Sequence, residues 1–159
     1  MPTLRASSLS SVAALLFIAL AVIAPGCAKR TTDADIRPIS LSQVRALIAE
    51  AEETPDRRVL LLIDPRAPSK FIDGHLPLAK NVQLSDVPAE PRRPEIDTFD
   101  HVVVYGDHTS DAAAIAMTKR LLAGDYNEPK MFRGGLRSWR AAGLEVERGG
   151  AVPRSSARP

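Results

Sequence analysis

The sequence predicts one α/β domain, a parallel β-sheet flanked by helices. Two observations carry this. Val59–Ile63 and His101–Tyr105 are short, nearly continuous apolar runs bounded by charge or proline, the pattern of strands covered on both faces. Around them lie segments with apolar residues at helical spacing, so strand and helix alternate along the chain, as a parallel sheet with crossover helices requires. The 159 residues suit a single unit at roughly 100–200 residues per domain. No internal repeat is visible.

Ile36–Ile39 is a short strand candidate. Ser40 then opens a helix: Ser40-x-x-Gln43 is a capping box, and Ile39 with Val44 can form a hydrophobic staple. Leu41, Val44, Leu47, Ile48 and Ala51 give that helix one buried face, and Thr54-Pro55-Asp56 ends it. After Val59–Ile63 come Asp64-Pro65-Arg66, a short helix over about Pro68–Asp73, and Gly74-His75-Leu76-Pro77. Asn81-Val82 reads as a further short strand, and proline-rich Ser85–Pro94 as a loop. Gly106–Ser110 is a tight loop after the strand His101–Tyr105. Asp111–Ala123 is a helix with small residues along it, and Gly124 is placed at a left-handed C′ position. Lys130–Phe132 is a strand, Arg133-Gly134-Gly135 a turn, and Leu136–Ala142 a last helix that carries Trp139 and ends at Gly143.

The two ends read differently. Arg5 and the apolar run Val12–Ala24 form a signal with a positive n-region and an h-region too short to span a bilayer comfortably. Pro25 and Gly26 break the run, and Cys27 follows. Small residues before a lone cysteine resemble a bacterial lipobox, in which the cysteine is acylated and becomes the first residue. Residues 1–26 are thus a lipoprotein-type signal, 27–35 a tether, 36–148 the domain and 149–159 a disordered tail. The expected location is a bacterial cell-envelope membrane, with acyl chains on Cys27 as the anchor. A plain secretory signal cut near Ala28 and an uncleaved anchor are the alternatives.

Composition removes whole classes of function. Lys and Arg number 21 against 19 Asp and Glu, and aromatics are 4%. That leaves neither a basic stripe nor a stacking platform for nucleic acid. Cys27 is the only cysteine, so an intramolecular disulfide or a Cys-rich zinc site is impossible. The domain itself contains no thiol.

Four motifs in order over roughly Ile36–Glu147 resemble the rhodanese-homology family, the single-domain sulfurtransferase fold. Asp64-Pro65-Arg66 is similar to its Asp-x-Arg after the central strand. Gly74-His75-Leu76-Pro77-Leu78-Ala79 resembles its Gly-His-Ile-Pro-Gly-Ala segment. Val102–Tyr105 resembles the strand feeding its active-site loop, and Gly134-Gly135 with Trp139 its Gly-Gly-x-x-x-Trp signature. The family's loop typically reads Cys-Arg-x-Gly-x-Arg and wraps its amides around a persulfide. The aligned residues are Gly106, Asp107, His108, Thr109, Ser110 and Asp111. The resemblance therefore implies the fold with a degenerate loop: glycine stands at the cysteine position and aspartates at both arginine positions.

Sulfur transfer needs a thiolate that attacks sulfane sulfur and carries it as a persulfide. Glycine cannot do this. Amides at a helix N-terminus still favour an anion, and Asp111 in the first turn is expected to satisfy that field itself, leaving no cradle for a ligand. Asp107-His108 with Ser110 could suggest a base and nucleophile, and Asp107, His108 and Asp111 a metal site. The preferred reading is a solvated turn with Ser110 or Thr109 as N-cap. Asp64, Arg66, His75, Gly134, Gly135 and Trp139 are read as structural, with an Asp64–backbone network or ion pair, and Arg133, Arg137 and Arg140 as a solvated face, the alternative being a small basic patch beside the loop. No catalytic residue, metal or cofactor is expected. The functional expectation is a non-catalytic, lipid-anchored module binding an unidentified partner protein. The alternatives are a sulfurtransferase-related accessory, or a cryptic enzyme using Gly106–Asp111.

Overall fold

The computed structural model describes residues 31–88 and 92–150. The expected signal, Cys27 and residues 151–159 lie outside the described residues. A five-stranded sheet has the order β1-β5-β4-β2-β3, with every pair parallel. The strands are β1 (Arg37–Pro38), β2 (Leu60–Asp64), β3 (Lys80–Asn81), β4 (His101–Tyr105) and β5 (Lys130–Phe132). The helices are α1 (Leu41–Glu53), α2 (Pro68–Asp73), α3 (Ala112–Ala123) and α4 (Gly135–Ala141). Pro38, which has no amide to donate, lies in an edge strand, where a missing donor costs little. Among the described residues no helix is long and apolar enough to cross a membrane.

Alternation along β2 and β4 splits the core into two layers, because successive side chains point to opposite faces. Leu61, Ile63, Val102 and Val104 pack with Ala114, Met117 and Leu121 of α3. Leu62, Val103 and Tyr105 pack on the other face with Val44 and Ile48 of α1 and Leu136 and Trp139 of α4. This is why the two strands read as unbroken apolar runs. Each fully buried aliphatic side chain contributes about 1.5–3 kcal/mol, so these two strands and their cover dominate the stability.

Local signals place the helices. Ser40 N–H donates to Gln43 Oε1 at 3.0 Å and Gln43 N–H to Ser40 Oγ at 3.3 Å, the reciprocal capping box. Ile39 and Val44 are both buried in the same layer, as a staple requires.

Several boundaries differ from the sequence reading by one residue, because pairing and not hydrophobicity ends a strand. Asp64, a carboxylate, closes β2. The loop expected over Ser85–Pro94 overlaps 3-10 turns at both ends, Leu84–Asp86 and Pro94–Thr98, the second burying Ile96. Gly124 has φ −81° and is not left-handed; Asp125 takes the positive φ, 55°. Gly124 instead leaves room for the Tyr126 ring, which a Cβ there would approach to 2.8 Å. The end of the proposed tether also folds, since Asp33–Asp35 forms a 3-10 turn and Asp33 pairs with Lys119 of α3. Beyond α4, Gly149 N–H donates to Ile72 C=O at 2.9 Å and ties residue 149 to the domain.

Candidate functional site: a loop closed by its own carboxylate

The candidate site lies at the C-terminal end of β4, where a parallel sheet presents its loops. The chain leaves Tyr105, passes Gly106 and five further residues, and enters α3. Asp111 is the N-cap of α3; the capping expected of Ser110 or Thr109 falls instead to this longer acid. Its Oδ1 accepts from the amides of Ala113 (3.0 Å) and Ala114 (3.1 Å). Its Oδ2 accepts from the amide of Asp107 at 3.0 Å. One carboxylate thus joins the first turn of the helix to the start of the loop, where the helix dipole favours negative charge. Ser110 turns to His108, with its amide and hydroxyl each 3.3 Å from Nδ1. Thr109 and Ser110 are exposed.

Gly106 is buried under this carboxylate. A Cβ on Gly106 would lie 2.4 Å from Asp111 Cγ, 2.5 Å from its Cβ and 2.8 Å from Oδ2. The volume a side chain at 106 would need is therefore occupied by Asp111.

The loop is held from behind by α4. Gly106 C=O accepts from Leu136 N–H (2.9 Å) and Asp107 C=O from Arg137 N–H (3.0 Å). This close approach explains Gly135: its φ is +59°, and a Cβ would sit 2.4 Å from Gly106 O. Gly134 is crowded by Ser138, whose Cβ would be 2.7 Å away. Trp139 is buried, with Nε1 donating to Glu145 C=O at 2.7 Å.

Beneath the loop runs a buried polar network. Arg66 Nη2 and Nε donate to the Asp64 carboxylate at 2.6–3.1 Å, and Nη2 also donates to Gly74 C=O at 2.8 Å. Arg66 Nη1 reaches Asp107 Oδ1 at 2.7 Å, and Lys70 Nζ reaches Asp107 Oδ2 at 2.8 Å. Tyr105 Oη donates to Asp64 Oδ2 (2.7 Å) and accepts from Leu76 N–H (3.0 Å). Burial opposes the charge on Arg66, but the hydrogen bonds and proximity of Asp64 and Asp107 outweigh it and hold its pKa above the usual value. Partial burial pushes Asp107 up, yet Lys70 and Arg66 together hold its carboxyl below the usual range. Burial, reinforced by Asp64, pushes the Tyr105 phenol up, so it stays protonated and donates.

Asp64 and Arg66 form the ion pair foreseen from the sequence. His75 is buried, stacked on Phe71 at 3.7 Å, with Nδ1 2.9 Å from Phe71 O and Nε2 3.4 Å from Glu147 Oε2. Lys70 and the Tyr105 hydroxyl are the participants that the sequence reading missed. Nothing in local spacing signals Lys70, because its partner is 37 residues away. Leu78 was also missed: in the turn closed by Ala79 N–H and Leu76 C=O (3.1 Å) it has φ +62° and is 42% exposed.

Asp107, His108 and Asp111 do not converge on one point. Both Asp107 oxygens are in ion pairs and both Asp111 oxygens cap amides. Among the described residues no group of three or more metal-ligating side chains lies together. Beside the loop, Asp107, His108, Leu136, Arg137 and Arg140 line an open cleft of about 440 Å³.

The model of the family described as Rhodanese-like domain matches residues 42–142. A thiosulfate sulfurtransferase from Pseudomonas aeruginosa is 31% identical over 72% of this chain, with a TM-score of 0.56; the match spans 20% of that larger protein. A human single-domain sulfurtransferase is 19% identical, covers 65% of this chain and 95% of its own, and superposes with a TM-score of 0.52. A protein of Bacillus halodurans gives 15% identity, 70% and 77% coverage, and a TM-score of 0.58. None of the curated proteins matches the chain. The sheet order, the loop at the end of β4 and the family match agree: this chain belongs to the rhodanese-like domain family.

Proposed function

We propose that the chain is a rhodanese-like module that does not transfer sulfur, binds a partner protein, and is held at a membrane by lipid on Cys27. The observation that carries the first part is Gly106 under the Asp111 carboxylate. Sulfur transfer needs a thiolate that forms one S–S bond as the donor's bond breaks. The loop offers no sulfur, and a carboxylate holds the amides that would face a bound anion. Loss of chemistry with retention of the fold leaves binding as the function the scaffold can perform. A cryptic enzyme built on Asp107 or Asp111 draws no support from their geometry, since each carboxylate is already committed to structural partners.

The test is thiosulfate-to-cyanide sulfur transfer by the full chain. Thiocyanate should form no faster than without protein. Turnover that survives Cys27→Ala would overturn the proposal. For the anchor, labelling with a radioactive fatty acid should mark the wild-type chain and not Cys27→Ala; equal labelling of both removes Cys27 as the lipid site.

A further inference from the structure

The cleft beside the loop carries charge that the fold does not use. Arg137 and Arg140 stand one turn apart on α4, both exposed. Among the described residues neither side chain has a carboxylate within ion-pair distance. Arg140 lies against Gly74, where a Cβ would come within 2.5 Å of its Nη2, so its guanidinium sits at the junction of α2 and α4. The one acid lining the cleft, Asp107, is already matched by Arg66 and Lys70. The unmatched charge is therefore positive. The amides of Leu136 and Arg137 are occupied by Gly106 and Asp107 carbonyls, so recognition falls to side chains: two planar guanidinium forks above an apolar floor from Leu136.

We propose that this cleft docks an acidic segment of a partner protein, with carboxylates on Arg137 and Arg140. This rests on reading the domain as a partner-binding module and adds the partner's chemistry. A lone small anion gains little from exposed charges, whereas carboxylates repeated along a chain can engage both forks at once. Residues 1–30 and 151–159 do not supply the segment: they contain Arg5, Lys29, Arg30, Arg154 and Arg158 and no acid.

Titration calorimetry of the full chain with an acetylated hexaglutamate peptide tests this. Binding is expected at low salt, weakened at least about ten-fold by Arg137→Glu with Arg140→Glu and by raising salt to about 0.5 M. Arg45→Glu, on the exposed side of α1, should leave it within about two-fold. No heat at millimolar peptide, an equal loss in Arg45→Glu, sulfate competing as well as the peptide, or tighter binding of a deca-thymidine oligonucleotide would each overturn the proposal. Sulfur-transfer turnover would strike only the non-catalytic reading; absent peptide binding without turnover strikes only this one.

Discussion

A cysteine placed at position 106 by itself should destabilise the protein. In Gly106→Cys the new Cβ must clear Asp111 atoms at 2.4, 2.5 and 2.8 Å, against ordinary contacts near 3.5 Å. Asp111 has to move by about 1 Å, and its bonds to three amides are set up to resist that. Overpacking costs about 1–3 kcal/mol and a lost N-cap about 1 kcal/mol, so the variant should lose about 2–4 kcal/mol. Asp111→Gly removes all three obstructing atoms and by itself should cost about 0.5 kcal/mol, since glycine is tolerated at an N-cap. The double variant should then be no less stable than Asp111→Gly, a coupling of about 2–4 kcal/mol, the whole cost of Gly106→Cys. Urea unfolding of the four proteins measures this cycle. A Gly106→Cys midpoint equal to wild type, or single costs that simply add in the double variant, would refute the argument that Asp111 fills the space at 106.

Three further outcomes are expected. Tyr105→Phe leaves the Leu76 amide unpaired in the core and removes a donor from Asp64; it should cost about 1–3 kcal/mol in urea unfolding, and a neutral result would contradict the network. Asp107 is held below its usual range, so its contribution to stability is full above the unfolded value of about 4 and fades as pH falls through the lower folded pKa. Asp107→Asn should flatten that acid limb in urea midpoints taken from about pH 6 down to 2.5, and an unchanged limb would remove Asp107 as a contributor. Leu78→Gly should raise the midpoint by up to about 1 kcal/mol, because a leucine at φ +62° bears a left-handed cost of about 1–2 kcal/mol that glycine's extra unfolded freedom only partly offsets; a clear loss would show that its side chain is needed.

The order of elements was legible because β2 and β4 are covered on both faces and so print apolar runs, while Ser40 and Gln43 mark a helix start within four residues. Gly106 at the start of the loop after β4 was legible from the order of the motifs. What was not legible depends on contacts across long sequence separations. Lys70 of α2 reaches Asp107 across 37 residues, and Tyr105 of β4 serves Asp64 of β2 across 41. The choice of Asp111 over Ser110 as N-cap was hidden for a related reason. It is decided by the amide of Asp107, which only the loop's path brings to the second carboxylate oxygen. Gly124 misled because glycine after a helix usually signals a left-handed turn, whereas here it makes room for Tyr126.

The anion position at the head of α3 is filled from within by the Asp111 carboxylate. The amide resonances of Ala113 and Ala114, followed by NMR as thiosulfate is added, test it most directly. They should not shift in wild type, because Asp111 keeps their hydrogen bonds. Saturable shifts at these two amides would contradict it.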